Sequence, residues 1–344
     1  MCAKRVTSQD VADRAGVSRT TVSLVLNNHK DIHISRITRE KVIQVANELG
    51  YVPNAAAQAL ASRRSRIIGL ILTRSLHHIS SDAFLTQILD GVLGVIHQHD
   101  MRLVVDIIEP EHQKELYLKM VRAKRIDGIL LSGPRFDDDA LRALQDYDFP
   151  TVLIGQLPGT HLCSIDVDNR ASARLAVEHL IGLGHADIAC ITNAAPSYTA
   201  SLDRLNGYKD ALEQAGIGFR QELVRYGDFK VESGYEQMKS LLHSGANFSA
   251  VFVASDMVAF GAKAAIREHG LSIPGDIAIV GFDDLPFSQF SDPPLTTIHI
   301  PAVELGRQAC NLLINLFENS TTTCPQKFLD THLVVRQSCG AVSA

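Results

Sequence analysis

At 344 residues the chain is too long for one hydrophobic core, and 46% apolar with 21% charged residues is the balance of an ordinary globular protein. There is no long apolar run and no apolar N-terminal stretch, which argues against a membrane span or an export signal and for a cytoplasmic protein. The net charge of −5 is unevenly spread: residues 1–66 hold eleven Lys and Arg against five Asp and Glu, or +6, which leaves −11 on residues 67–344. A basic head on an acidic body is expected when only the head meets phosphates.

In chain order, Thr7–Asn28 reads as two short helices broken by a tight turn. Thr7 is placed to cap the first helix through its hydroxyl, with Asp10 three residues on at the positive end of the dipole. Val11 and Ala15 form an apolar stripe, and Ala12 is small enough for a second helix to cross closely. Gly16 stands where a helix ends in a left-handed residue. Ser18 caps the next helix, whose inner face is Val22, Val25 and Leu26 and whose outer face carries Arg19, Thr20, Ser23 and Leu24. A helix-turn-helix lays such a face in the DNA major groove. Ser35–Gly50 is a third helix, with Val42, Val45, Ala46 and Leu49 at helical spacing. Pro53 then breaks the chain, and the alanine-rich Ala55–Ala61 forms a short helix that orders only when something packs on it.

Thr7–Asn28, Tyr51-x-Pro53-Asn54, Ala57-Gln58-Ala59-Leu60 and Ile68-Gly69-Leu70 together resemble the LacI/GalR family of bacterial transcriptional repressors, over essentially the whole chain. The resemblance implies an all-α helix-turn-helix head (1–53), a hinge helix and linker (54–66) and an effector-binding, dimerising α/β body (67–344). It implies a homodimer on a pseudopalindromic double-stranded DNA operator. The residues it sets against DNA are Thr7, Ser18, Arg19, Thr20, Thr21, Ser23, Leu24 and Asn27 in the head, and Asn54, Ala57, Gln58, Leu60 and Ala61 in the hinge. Leu60 of each subunit would wedge between base pairs at the operator centre. Two departures keep the operator sequence from being transferred. Leu24 stands where many members carry Arg, so apolar contact replaces a base-reading donor, and the connector His29–Ile34 is longer than the family's.

From Ile67 the pattern changes. Apolar runs Ile67–Leu72, Leu103–Ile108, Gly128–Leu131 and Thr151–Ile154 alternate with helical stretches, and a second series of strands runs through Ile188–Ile191, Leu223–Tyr226, Ala250–Val253 and Ile277–Gly281. Short apolar strands alternating with amphipathic helices predict doubly wound parallel sheets, and two series predict two lobes. The change of lobe falls near Val167-Asp168, with later crossovers around residues 296–301 and 329–332, while Lys327–Val335 reads as one strand. The resemblance agrees: it implies the two-lobed type I periplasmic-binding-protein-like fold.

Ligands of such sheets sit outside the carboxyl ends of the strands. The candidates so placed are Phe84, Leu85, Tyr198, Ser201, Arg204, Phe229, Ser255, Asp256 and Asp283. An Arg fork and a carboxylate jointly grip vicinal hydroxyls, and an aromatic face suits a sugar ring or a base. In related repressors the positions matching Arg204 and Asp283 bond the effector, and an aromatic matching Phe229 stacks on it. The plainer alternatives are a structural ion pair for Arg204, a core ring for Phe229 and a turn residue for Asp283. Purine-responsive relatives place Arg where Tyr198 stands and sugar-responsive ones Asn where Ser255 stands, so neither signature is met. The absence of extra basic groups favours a neutral sugar or polyol over a purine or phosphosugar corepressor.

No cofactor, metal or catalytic site is expected. His77-His78 lacks a partner at ligand spacing, and no P-loop, G-x-G-x-x-G or G-x-S-x-G motif occurs. The scattered Cys2, Cys163, Cys190, Cys310, Cys324 and Cys339 read as reduced thiols. An α/β enzyme would leave the basic head unexplained, and a sugar-binding transport protein would need a signal peptide and no such head. A leucine-heptad tail that would build a tetramer is absent.

Overall fold

Three side-chain caps start the three helices of the head in the computed structural model, which describes residues 6–26, 34–52, 64–73, 82–108, 113–123, 125–147, 149–319 and 324–341. Thr7 and Asp10 form a reciprocal capping box at α1 (Ser8–Ala15), and Gly16 ends that helix at φ 67°. Ser18 Oγ accepts from the Thr21 amide at 3.1 Å at the head of α2 (Arg19–Leu26), and Ser35 does the same for Thr38 at α3 (Arg36–Glu48). Val11, Ala12, Ala15, Val22, Val25, Val42, Val45 and Ala46 close a small core between the three helices. The chain divides into two units, Met1–Arg66 and Ile67–Ala344. Asn27, Asn54, Ala57, Gln58, Leu60 and Ala61, and with them the hinge helix, lie outside the described residues.

The second unit holds two sheets. The first contains β1 (Ile67–Leu72), β2 (Arg102–Ile107), β3 (Gly128–Ser132), β4 (Thr151–Ile154), β5 (Cys163–Val167) and β11 (Gln326–Leu329), in the order β11-β5-β4-β3-β1-β2 and all parallel. The second contains β6 (Ile188–Thr192), β7 (Val224–Tyr226), β8 (Ala250–Val253), β9 (Ala278–Asp283), β10 (Thr296–His299) and β12 (His332–Val334), in the order β12-β10-β9-β8-β6-β7. Here β12 alone runs antiparallel, against β10. Each sheet thus repeats one doubly wound order, with its topological switch between β1 and β3 or between β6 and β8. Strands buried on both faces explain the unbroken apolar runs of β1, β3 and β8.

The helices cover the sheets in tight pairs. In the first lobe α4 (Ala83–Gln98) packs on α11 (Ala302–Asn319) at Gly91 and Gly306, where a Cβ would stand 1.9 and 2.2 Å from the carbonyl oxygens of Val303 and Ile88. Also in this lobe are α5 (Gln113–Ala123) and α6 (Asp139–Ala143). In the second, α7 (Asn169–Gly182) packs on α8 (Thr199–Gln214) and α9 (Val231–His243) on α10 (Asp256–Glu268).

Two expectations are corrected. Lys327–Val335 is not one strand: Asp330 and Thr331 carry the chain between sheets, so its halves are β11 and β12. The cysteines are not all thiols either, since Cys163 on β5 and Cys324 just before β11 form a disulfide, with Cα atoms 4.4 Å apart. The two residues are 161 positions apart in the chain, and only the β5–β11 pairing, unread in the sequence, brings them together.

Candidate functional site

In the head, Arg19, Thr20 and Ser23 are exposed on one side of α2, with Thr21 and Leu24 half-buried beside them. Val22 and Val25, a step away on the helix, are buried. Arg19 Nε donates to Ser8 Oγ at 3.0 Å, which ties the start of α2 to the start of α1. The hydroxyl of Thr7 donates to Asp10 Oδ2 at 2.7 Å, and that of Ser18 bonds Thr21 Oγ1 at 2.9 Å. Both of these residues thus hold helix starts in place.

In the second unit, a cavity of about 750 Å³ including its open mouth lies between the two lobes, at the carboxyl ends of the strands. Ser132 and Gly133 reach it from the end of β3, Val167 and Asn169 from β5 and α7, Asn193 from β6, Ser255 from β8 and Asp283 from β9. These positions straddle the switch points of both sheets, where a crevice opens because neighbouring connections leave in opposite directions.

Arg204 is the central cation. It comes from α8 and is 7% exposed. Its Nε donates to Asn169 Oδ1 at 2.9 Å, and its Nη1 donates to the Ala254 carbonyl at 2.7 Å and to Asp283 Oδ1 at 3.5 Å. The guanidinium also lies 3.9 Å from the Phe282 ring centre. Burial pushes its pKa down, and the carboxylates of Asp283 and Asp166 pull it back up. Asp166 is pushed up to about 7 by burial, against hydrogen bonds from the Val167 amide and from Asn169 and the charge of Arg204. Asp283 and its neighbour Asp284 sit at φ 120° and 55°, in backbone regions that side chains rarely adopt and that concentrate at functional sites.

Two aromatic rings close one wall. Phe229, at φ 58°, meets Tyr198 edge to face with centroids 5.0 Å apart. The Tyr198 hydroxyl crosses to the other lobe and donates to the Thr73 carbonyl at 2.8 Å. Beside it the lobes are clasped by two backbone bonds, Phe136 N–H to the Ser197 carbonyl and Thr199 N–H to the Pro134 carbonyl, and by Arg135 over the Tyr198 ring.

Of the nine candidates, Phe84, Tyr198, Arg204, Phe229, Ser255 and Asp283 line this cavity, whereas Leu85, Ser201 and Asp256 do not. Leu85 is core. Ser201 donates to the Ala194 carbonyl at 2.6 Å. Asp256 is fully buried and accepts four hydrogen bonds, from the amides of Phe282 and Leu285 and the hydroxyls of Ser288 and Thr297. It pins the β9 end that carries Asp283, and burial followed by the Asp283 charge raises it to about 7. The lining also includes Asp82, Asp166, Asn169 and Asn193, which sequence reasoning passed over. Asn193 directly follows a predicted strand, so the rule that found Ser255 could have found it. Among the described residues no group of three or more His, Cys, Asp or Glu is placed to hold a metal ion, and no helix is long and apolar enough to cross a membrane.

Comparison with known proteins places both units. Residues 7–54 match the family described as bacterial regulatory proteins, lacI family, and residues 177–339 match a periplasmic binding protein-like domain. The transcriptional regulator CelR of Thermobifida fusca is 34% identical over 339 residues, covering 97% of this chain and 98% of its own. Among solved structures, a lac repressor dimer bound to operator and the anti-inducer ONPF superposes with a TM-score of 0.85 at 34% identity, covering 98% of this chain and 100% of its own. A CelR–cellobiose complex does so at 0.74 and 32%, covering 97% and 100%.

Proposed function

Since the chain belongs to the lacI family of bacterial regulatory proteins, and so is a DNA-binding transcriptional regulator, we propose that it is a repressor controlled by a neutral sugar bound between its lobes. The observation that carries the effector class is the lining of the cavity. Arg204 and Asp283, in contact with each other, stand with Ser255, Asn193 and the Tyr198–Phe229 pair around one space. A fork, carboxyl and amide groups and a ring face are what recognition of a sugar's hydroxyls and its apolar ring face requires. The cellobiose complex of CelR supports the same class for this chain.

The chain acts as a homodimer in the cytoplasm, without enzymatic activity. The outer face of α2, with Arg19, Thr20, Ser23 and Leu24, enters the major groove at each half of a pseudopalindromic operator. Asn27 contacts the same half-site, and Asn54, Ala57, Gln58, Leu60 and Ala61 meet the central minor groove, Leu60 as the kinking wedge. Effector and operator bias one equilibrium between lobe arrangements, so each changes the affinity for the other by the same factor.

A thermal-shift screen of the full chain against neutral sugars, sugar phosphates and nucleosides tests the effector class, since a ligand of the folded state raises the melting temperature by mass action. A neutral sugar should give the largest shift, and Asp283→Ala should remove it while leaving DNA binding intact. Preference for a phosphosugar or a purine would overturn the reading.

A further inference from the structure

Asn193 follows β6 at the switch point of the second sheet, and its main chain is already in use. Its carbonyl accepts from the Phe229 amide at 2.7 Å, and its neighbour Thr192 accepts from Gly227. The side chain is another matter. Asn193 is 5% exposed and lines the cavity, yet its Oδ1 is buried without a hydrogen-bond partner. Three other described residues carry such an atom, Gln87, Ser164 and Arg174, and none of them lines this cavity. A buried carbonyl oxygen left unpaired destabilises the fold, so each instance needs a cause. A partner that arrives with the ligand is such a cause.

The charges around Asn193 limit what that partner can be. Among the described lining residues, the carboxyl groups of Asp82, Asp166 and Asp283 stand with the guanidinium of Arg204. Hydroxyl hydrogens of a ligand would find acceptors among these carboxyl groups and Asn193 Oδ1, so the partner that fits is a hydrogen-bond donor.

We infer that Asn193 is an effector-selecting residue: its Oδ1 accepts a hydrogen bond from a hydroxyl of an uncharged, donor-rich ligand. This rests on the reading of the cavity as the effector site, and it adds the atom that discriminates. A ligand with the same outline but no donor at that point would leave the oxygen buried and unpaired, and would bind about tenfold or more weakly.

The test compares the full-length chain with Asn193→Leu, a substitution of similar volume without polar atoms, by thermal unfolding in buffer alone and with cellobiose or glucose as probes. Empty Asn193→Leu should melt above the wild type, because the unpaired oxygen is gone. Its shift with whichever probe moves the wild type should shrink, in step with the tenfold weaker binding. A lower melting temperature for the empty variant would mean that the amide is scaffolding and would overturn the inference, whatever ligand binds. An undiminished shift with the probe would overturn it too. Failure of the sugar reading looks different: a wild-type chain unmoved by either probe, with the melting order of the two empty proteins still deciding whether Asn193 holds an unpaired atom.

Discussion

Asn169 Oδ1 accepts from Arg204 Nε at 2.9 Å while its amide nitrogen donates to both oxygens of Asp166, at 3.2 and 3.3 Å. One side chain therefore links the first sheet's last inner strand to the guanidinium that reaches Asp283 in the second lobe. Each group fixes the next one's direction, so the cavity is shaped before any ligand enters, which lowers the ordering cost of binding.

Removing the middle of that chain should be costly. Arg204→Met keeps most of the volume but leaves Asn169 Oδ1 and the Ala254 carbonyl without their donor, and Asp166 and Asp283 without their cation. Breaking a buried pair from one side costs about 3–5 kcal/mol, because the remaining charge stays buried. The variant should show a clearly lower urea midpoint for the body. A midpoint near the wild type's would mean that Arg204 is held for ligand contact alone.

Asp166 sets a pH dependence with a definite sign. Its folded pKa, about 7, lies above the unfolded carboxyl's value near 4, so the folded state holds a proton that the unfolded state releases. Stability from this group is therefore full below about pH 4 and lost as pH rises through about 7, by roughly 4 kcal/mol in all. Asp166→Asn mimics the protonated form. It should melt higher than the wild type at pH 8 and show a smaller difference at pH 5.5, in paired melting curves. A gap that widens toward low pH would contradict the assignment.

What the sequence made legible follows from where its signals came from. Strands such as Ile67–Leu72 and Ala250–Val253 are apolar on both faces, and a run of that kind announces itself. β5 and β10 do not, because Cys163, Ser164, Asp166, Thr296 and Thr297 interrupt their apolar pattern, and the partners of Cys163, Thr296 and Thr297 lie far along the chain. Thr296 Oγ1, for example, accepts from the Arg336 amide. α11 carries Leu305, Ala309 and Leu313 at helical spacing after Pro301, a pattern that was present and went unread. The site divides in the same way. Position after a strand located Ser255 and Phe84, but of Ser255-Asp256 and Phe84-Leu85 only the first of each pair reaches the cavity: Ser255 is the extended N-cap ahead of α10, and successive residues of α4 point about 100° apart. Periodicity says that such neighbours diverge; only the packed lobe says which one faces the ligand.

The Cys163–Cys324 bridge closes a span of 161 residues, and on the chain-entropy account a cross-link over that span removes about 5 kcal/mol of unfolded-state freedom. The first lobe should lose stability when the pair is reduced, and Cys324→Ser should lower the melting temperature under oxidising conditions and leave it unchanged in reductant. Thiol counting before and after denaturation checks the premise, because only Cys2, Cys190, Cys310 and Cys339 should then react without reductant.

One substitution made at two glycines should have opposite effects. At Gly234 on α9 an added Cβ would stand 1.9 Å from the Val258 carbonyl oxygen on α10, and at Gly261 on α10 it would stand 1.8 Å from that of Val231 on α9. The two helices touch backbone to backbone, and below them Met238, Leu241, Ala262 and Ile266 fill the core against the second sheet. Gly234→Ala must push the helices apart, which opens that core and should cost about 2–3 kcal/mol. Gly182 sits in the last turn of α7 with no atom within 4 Å of its added Cβ. Gly182→Ala meets no obstacle and restricts the unfolded chain, so it should stabilise by up to about 1 kcal/mol. Urea midpoints of the two variants should fall on either side of the wild type. If Gly234→Ala were neutral, the close approach of α9 and α10 would not be what holds the second lobe's outer face.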